Sequence, residues 1–200
     1  MEARDAIRLV KGSPGVSYLT DAECRILAVS PGWETFAEAN DGTAIANHEL
    51  VRGRDLRSFL EGEQVRAQFE ILFKQVMLNR SGVVSYPFRC DSADTIRRMR
   101  LTMRRVHQQR DGAVAGVLFE SDLVESHHYE GHDFVLGMQT QRGEGSQQPI
   151  CAYCLRVEWP PESGNWIEHQ EAETAGVAKT GRLSHGACPS CMATLMSGMD

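Results

Sequence analysis

Two Cys-x-x-Cys pairs constrain the fold of this chain more than any other feature of its sequence. The first pair is Cys151 and Cys154, and the second is Cys188 and Cys191. Each pair can wrap a tight turn around one metal ion, and four thiolates then complete the closed tetrahedron typical of structural zinc. The spacing between the pairs exceeds the roughly 15–20 residues of a simple zinc ribbon. The excess predicts a small insertion that carries Trp166.

The fourth ligand and the identity of the metal are open at this cluster. His185 lies shortly before the second pair, and it can replace a cysteine as a ligand or donate a hydrogen bond to a thiolate. Tetrahedral sulfur also suits iron, so a rubredoxin-like iron site is an alternative to zinc. A reducing cytoplasm argues against a disulfide. Leu155 and Met192, not histidines, follow the two pairs, which argues against covalent haem attachment.

The surroundings of the cysteines favour ionised thiols in a closed site. Pro189 suits the first turn of a helix, and a helix over Ser190–Met196 would direct the positive end of its dipole toward the thiolates. Arg156, Lys179 and Arg182 provide positive charge that offsets the charge of the site. No helical His-Glu motif accompanies the cysteines, so the sequence predicts a structural metal and not a catalytic one.

The composition is that of a globular protein with room for one full domain and a smaller one. The chain has 200 residues, of which 42% are hydrophobic and 24% are charged. Its formal net charge of -6 argues against nucleic acid or an anionic membrane as a partner. No apolar stretch reaches the roughly 18 residues of a membrane span, and the N-terminus lacks the apolar region of a signal peptide. We therefore expect a cytoplasmic protein.

The pattern before residue 124 predicts an α+β domain with a five-stranded antiparallel sheet. Alternating apolar stretches indicate strands, and apolar residues at helical spacing indicate helices. The predicted strands are Val16–Leu19, Arg25–Val29, Val83–Arg89, Ile96–Val106 and Ala113–Phe119. The predicted helices are Met1–Val10, Gly32–Asn40 and Gly62–Asn79, with a short helical turn over Gly53–Leu60. Two strands, several helices and three further strands favour a sheet with helices on one face.

This order of elements resembles that of PAS domains, a small sensory fold common in bacterial signalling. The resemblance covers residues 14–124. It rests on Asp21-x-x-Cys24-Arg25-Ile26-Leu27, on Val51-Arg52-Gly53-Arg54-Asp55-Leu56, on the long helix and on the three closing strands. Ser30 stands after the second strand, where the family often has Asn. The resemblance implies a sensory domain.

The tail resembles a short cysteine-rich module that follows sensory domains in bacterial signalling proteins. The pattern is Cys-x-x-Cys, then Gly-x-Trp, then Ser-His-Gly-x-Cys-Pro-x-Cys, and these parts begin here at Cys151, Gly164 and Ser184. The resemblance implies metal binding in a small zinc-ribbon-like module. The chain then divides into an N-terminal helix (1–13), a PAS-like domain (14–124), a connector (125–149) and the metal-binding module (150–200).

Two clusters of polar residues have both a functional and a structural interpretation. His127, His128 and His132 could ligate a second metal or a haem, but nothing sets their geometry, so a solvated connector is favoured. The arginines of the fourth strand could bind phosphates, but no aromatic side chains for base stacking are interleaved with them. The alternation instead favours an exposed sheet face for most of them, paired with Glu120, Asp122 and Glu125 or with a partner subunit. These arginines are Arg97, Arg98, Arg100, Arg104 and Arg105, and the opposite, core face of the strand carries Met99, Leu101 and Met103.

Four further residues are candidates for a role in the core, in redox chemistry or in a ligand pocket. Cys24 is predicted to lie in the core, and Cys90 favours an inert thiol over a redox sensor. Trp33 and Phe36 are predicted to lie in the core or to form the wall of a ligand pocket between the helices and the sheet.

The motifs that are missing argue against catalysis. The sequence has no phosphate-binding loop, nucleophile elbow, catalytic triad or kinase signature, so we expect a protein that is not an enzyme. We expect a cytoplasmic sensory module that detects a small ligand, redox state or partner. It would signal through an unidentified protein or as a homodimer formed by the N-terminal helix. A haem- or iron-containing redox sensor and a zinc-dependent nucleic-acid-binding regulator are the alternatives.

Overall fold

The computed structural model describes residues 1–39, 43–60, 63–89, 95–128, 147–151, 153–175, 177 and 182–196. The strands of the first folded region are β1 (Val16–Asp21), β2 (Ile26–Val29), β3 (Val83–Arg89), β4 (Thr95–His107) and β5 (Val114–His128). Its helices are α1 (Ala3–Gly12), α2 (Pro31–Ala39), α3 (Thr43–Ala46), α4 (His48–Val51) and α5 (Glu63–Leu78), with a 3₁₀ helix at Leu56–Phe59. The strands run antiparallel in the order β2-β1-β5-β4-β3. The predicted PAS-like α+β fold is confirmed.

The observed elements differ from the predicted ones mainly at their ends. Strand β5 continues past Phe119, where the last strand was predicted to end, because residues up to His128 still pair with β4. The short helical turn predicted over Gly53–Leu60 is confirmed as a single 3₁₀ turn at Leu56–Phe59. Gly53 has a φ of +76°, outside the helical region, so the turn begins after this residue.

The main core lies between the sheet and helices α2 to α5. Phe119 of β5 is completely buried, and its ring stacks on that of Tyr18 with centroids 4.6 Å apart. Phe69, Leu72 and Val76 line the buried side of α5, as its apolar spacing predicted. Burial of such side chains, at about 25 cal/mol per Å² of apolar surface, is the main stabilising term of a domain of this kind.

Strand β4 separates apolar and basic side chains onto its two faces. Arg104 on the outer face places Nε 2.9 Å from Oε2 of Glu120, and Arg98 pairs with Glu125 at 3.7 Å. The buried side chains of the strand are Met99, Leu101 and Met103. Both the predicted core face and the predicted pairing of arginines with acidic residues are confirmed for these side chains.

Helix α1 packs on the face of the sheet opposite to α2 to α5. Ala6 and Val10, one turn apart, are completely buried and contact a second apolar cluster that includes Leu118 of β5. Ile7 and Leu9 point away from the sheet and remain 38% and 40% exposed. The N-terminal helix is therefore part of this folded region and still presents apolar side chains at the surface.

Ser30 joins the first two strands to the start of α2. Its Oγ accepts hydrogen bonds from the amides of Ser17 (3.0 Å) and Trp33 (3.1 Å) and donates one to the carbonyl of Gly15 (2.7 Å). A hydroxyl can satisfy all three groups because it both donates and accepts. Ser30 is thus the N-cap of α2, and Pro31 occupies the first helical position that suits proline.

The tail forms a small four-stranded sheet in which two strands distant in sequence pair in parallel. Its elements are β6 (Gln147–Cys151), β7 (Val157–Glu158), β8 (Trp166–Ile167), α6 (His169–Thr174), β9 (Arg182–Gly186) and α7 (Pro189–Met196). The strand order is β8-β7-β6-β9, and β9 is parallel to β6. Among the described residues of the tail, the buried apolar core comprises Ile150, Leu155, Val157, Ala172 and Val177.

Within the described residues, every helix is too short or too polar to cross a membrane.

Candidate metal centre and cavity

The sulfur atoms of four cysteines form a cluster in the tail. Those of Cys151, Cys154, Cys188 and Cys191 all lie within 4.8 Å of one another, and Sγ of Cys154 is 3.7 Å from Sγ of Cys188. Four sulfur atoms placed tetrahedrally about 2.3 Å from a zinc ion are about 3.8 Å apart. The cluster therefore has the dimensions of a tetrahedral metal site, and the structure brings together the four cysteines named from the sequence.

The parallel pairing of β6 with β9 explains why the two cysteine pairs meet. Parallel strands end at the same edge of a sheet. Cys151 is the last residue of β6, and Cys188 lies between β9 and α7. Cys154 lies in the turn after β6, where the amide of Leu155 donates to the carbonyl of Cys151 at 2.8 Å and Leu155 has a φ of +60°. Cys191 lies in the first turn of α7, the helix predicted near the second pair.

The cluster stabilises one thiolate and opposes further ones. Hydrogen bonds from the thiols of Cys154 and Cys191 hold the pKa of Cys151 far below its usual value. Donation to Cys151 raises the pKa of Cys154 to about 12 and raises that of Cys191 as well. Thiolates at this separation repel one another, so a divalent cation is what allows all four to be deprotonated.

The side chains around the cluster are described in part. Arg156 places Nε 2.9 Å from Oε1 of Glu168, and this carboxylate, followed by nearby thiolates, raises the pKa of Arg156. Lys179 lies outside the described residues. For Arg182 and His185 the backbone is described, within β9, and the side chains are not. A role of His185 as a ligand or hydrogen-bond donor stays a prediction.

A second candidate site is a cavity of about 330 Å³ in the first folded region. Trp33 and Phe36 of α2 form one wall, so the pocket that was one of their two predicted roles is present. The remaining lining residues come mostly from the sheet and are mainly apolar or aromatic: Val16, Tyr18, Ala37, Ile45, Tyr86, Phe88, Met99, Leu101 and Ser121. A more open depression of about 590 Å³ shares Val16 and Phe36 with this cavity and adds Arg97.

Two tyrosines, Tyr18 and Tyr86, line the cavity and carry polar hydroxyl groups. Burial raises the pKa of both Tyr18 and Tyr86 well above the usual value, so both hydroxyls are neutral at pH 7. Both side chains nevertheless keep accessible surface, as expected when that surface faces a cavity inside the fold. A neutral phenol in such a wall can donate a hydrogen bond to a ligand atom or accept one from it.

The metal centre and the cavity meet at a pair of aromatic rings. Tyr153 lies between Cys151 and Cys154 in sequence, and its ring contacts that of the cavity residue Tyr86 edge-on, with centroids 5.6 Å apart and planes at 79°. Tyr153 is half-buried against the main core of the first folded region. Sequence reasoning missed this contact, because Tyr153 occupies a variable position of Cys-x-x-Cys and β3 is remote in sequence.

The other candidate residues have the following places. Cys24 is buried in the main core, as predicted, and burial raises its pKa to about 12, which suits an inert thiol. His128 is the exposed last residue of β5. The side chain of His127, and the whole of Cys90 and His132, lie outside the described residues. A role for these histidines or for Cys90 stays a prediction.

The fold and the sites define an α+β protein with a PAS-like sheet and a four-cysteine cluster in its tail. No protein family matches the chain in a scan of family profiles, and no curated protein matches it. Among solved structures, it is similar to the PAS domain of a Colwellia psychrerythraea protein, with 13% identity and a TM-score of 0.42 over 60% of this chain and 95% of that one. It is also similar to the PAS domain of BvgS from Bordetella pertussis (15% identity, TM-score 0.45, 64% of this chain, 88% of that one). A third similar structure is phage VqmA in complex with DPO (16% identity, TM-score 0.44, 60% of this chain, 52% of that one).

Proposed function

We propose that this protein is a sensory module that detects a small molecule in the cavity of its PAS-like domain. The cavity carries this proposal. Its volume of about 330 Å³ is at the lower end of ligand pockets, which range from about 300 to 1,000 Å³. A mainly apolar wall with a few polar groups is also the usual composition of such pockets.

The lining favours an uncharged, mainly aromatic or aliphatic ligand that carries a hydrogen-bonding atom. Trp33 and Phe36 offer apolar ring surface, and Tyr18 and Tyr86 offer phenol groups. The ligand is therefore expected to be smaller than a nucleotide and not highly charged.

We propose zinc as the ion of the four-cysteine cluster, in a structural role. Four sulfur ligands close the coordination sphere, so the site leaves no position for a substrate. Iron is the alternative because it accepts the same tetrahedral sulfur set. Metal analysis and an absorption spectrum of freshly purified protein distinguish colourless zinc protein from coloured iron or haem protein.

We propose that the protein is cytoplasmic, is not an enzyme and passes its signal to another protein or to a second copy of itself. The exposed apolar side chains of Ile7 and Leu9 support self-association through α1. The pairing of Arg98 and Arg104 with glutamates leaves them poorly suited to grip phosphates, which speaks against a nucleic-acid-binding regulator. Truncation of α1 should shift a dimer to monomer in light scattering; a wild-type monomer contradicts this part of the proposal.

The test of the ligand proposal starts with mass spectrometry of compounds extracted from freshly purified protein. It continues with a thermal-shift screen of small neutral aromatic compounds. Ala37 lines the cavity, so Ala37→Leu should fill it and abolish the shift caused by a compound that stabilises the wild type. Val106 is buried on the other face of the sheet, and the control Val106→Ala should lower stability but keep the shift. A shift that survives Ala37→Leu contradicts binding in the cavity.

A further inference from the structure

We infer that Tyr153 is a positioning residue that transmits the state of the metal centre to the cavity. When metal organises the Cys-x-x-Cys turn, Tyr153 holds the ring of Tyr86 in the cavity wall. The metal content of the tail then sets the affinity of the cavity for its ligand. The ligand half of this inference rests on the proposed function, whereas the dependence of the cavity wall on metal does not.

The geometry at Tyr86 places this one side chain between the two sites. Tyr86 lines the cavity together with Tyr18 and Trp33. Its ring also makes a T-shaped contact with the ring of Tyr153 at a centroid distance of 5.6 Å. A displacement of Tyr153 therefore removes the support of a residue that shapes the cavity.

The position of Tyr86 in the sheet makes this support important. Strand β3 is at the edge of the five-stranded sheet and pairs only with β4 in that sheet, where Tyr86 is opposite Leu101. Edge residues have a backbone partner on one side only, so their positions depend more on side-chain packing. For Tyr86, the contact with Tyr153 provides packing from outside the sheet.

The position of Tyr153 makes the contact depend on metal. Its two nearest ligand neighbours are Cys151 and Cys154, and the turn between them is closed by the bond from the Leu155 amide to the Cys151 carbonyl. The apolar core formed by the described residues of the tail is small, and small metal-binding modules lose their fold when the metal is removed. Loss of metal should then release Tyr153 from Tyr86.

Such a contact couples the two sites in both directions. If metal raises the affinity for a cavity ligand by some factor, the ligand must raise the affinity for metal by the same factor. Removing the aromatic pair should lower zinc affinity by about two- to tenfold, which corresponds to the usual strength of such a pair. The contact between Tyr153 and Tyr86 links the metal-dependent tail to the cavity. Through this contact, the presence or absence of metal can regulate the ligand affinity of the cavity.

The test follows Trp33, which lines the cavity, by fluorine NMR of the full chain labelled with fluorotryptophan. Trp159 and Trp166 lie in the tail and give internal reports on its folding. Each resonance is assigned by a single Trp→Phe substitution. Spectra are compared before and after zinc removal for the wild type, for Tyr153→Ala and for the matched control Tyr153→Phe, which keeps the ring.

The expected result is that zinc removal moves the Trp33 resonance in the wild type and in Tyr153→Phe. In Tyr153→Ala, with zinc content confirmed, the resonance should already be displaced and should move no further. The inference is overturned if Trp33 does not respond in the wild type while Trp159 and Trp166 report an unfolded tail. It is also overturned if zinc removal moves the Trp33 resonance to the frequency seen in the unfolded chain. Zinc removal would then unfold the whole protein, and the shift would not report on Tyr153.

A zinc titration against a chromophoric chelator tests the same coupling by measuring the zinc affinity of the tail. Tyr153→Ala should bind zinc about two- to tenfold more weakly than Tyr153→Phe, because only the alanine variant loses the interaction energy of the aromatic pair. Equal affinities overturn the inference. Neither measurement uses a ligand, so a chain that passes both tests but binds nothing in the compound screen refutes the proposed function and not the coupling.

Discussion

The two folded regions of this chain are stabilised in different ways. The PAS-like region has a continuous core beneath its sheet and a second apolar cluster beneath α1. Among the described residues of the tail, the core has five small or medium side chains beside a four-cysteine cluster. A core of the first kind can stabilise a domain by burial alone, whereas a module of the second kind normally needs a metal or disulfide. We therefore expect the first region to fold without metal and the tail to fold with it.

The largest expected effect is the loss of the metal. Cys188→Ser or a strong chelator should unfold the tail, because structural zinc contributes about 10–16 kcal/mol in small zinc modules. The PAS-like region should keep a cooperative unfolding transition in calorimetry. Cys24→Ala, which removes a buried thiol outside the cluster, is the matched control and should retain one zinc ion per chain. Simultaneous unfolding of both regions would remove the distinction between them.

A truncation in the main core should have the next largest effect, on the first region alone. Phe119 is completely buried and stacks on Tyr18, so Phe119→Ala should lower the free energy of unfolding by about 3–5 kcal/mol. Leu78 is 82% exposed, and Leu78→Ala should change the free energy of unfolding by less than about 0.5 kcal/mol. Urea titration measures both variants. Zinc content should stay unchanged, and its loss would contradict separate stabilisation.

The metal affinity of the tail should rise with pH. In the metal-free cluster the pKa values of Cys154 and Cys191 are raised by donation to Cys151, so both thiols are protonated near pH 7 and zinc must displace their protons. Release of at least these two protons raises the affinity at least about a hundredfold per pH unit over roughly pH 6 to 8. Chelator competition at several pH values measures this slope. A flat profile would mean that the thiols are already ionised before metal binds.

Removing the N-cap of α2 should have a moderate effect on the first region. Ser30→Ala deletes the hydroxyl that serves Ser17, Trp33 and Gly15, and a loss of about 1–3 kcal/mol is expected for buried groups left unpaired. The control is Ser58→Ala, since Ser58 is an exposed residue whose Oγ donates to the carbonyl of Asp55. Equal stabilities for the two variants in urea would show that Ser30 is not a structural link.

The smallest expected effect concerns the charged outer face of the sheet. Arg104→Ala removes the exposed pair with Glu120 and should cost about 0.2–1 kcal/mol. A double-mutant cycle with Glu120→Ala isolates the pair, and added salt should reduce its contribution. Retention of the metal is expected in every variant. Binding of a nucleic acid oligomer that is lost in Arg104→Ala would instead favour the alternative regulator function.

Local patterns in the sequence predicted much of the fold and part of the sites. The alternation of β4 identified Met99, Leu101 and Met103 as core, and the spacing of the cysteines identified the metal cluster. These features depend on residues that are neighbours in sequence or on an established ligand pattern. The parallel pairing of β6 with β9 and the contact between Tyr86 and Tyr153 join distant segments. No local pattern encodes such contacts, so only the structure reveals them.

The separation of the two cysteine pairs along the chain also has a consequence for synthesis. Cys154 and Cys188, whose sulfur atoms are in contact, are 34 positions apart, which corresponds to about 2 to 7 seconds of translation at about 5–20 residues per second. During this interval the first pair leaves the ribosome as a bare dithiol, while the PAS-like region is already complete and can fold. Newly made chains are therefore expected to pass through a state in which a folded first region carries half of the cysteine cluster. In that state the exposed thiols compete for metal and oxidant with the rest of the cell.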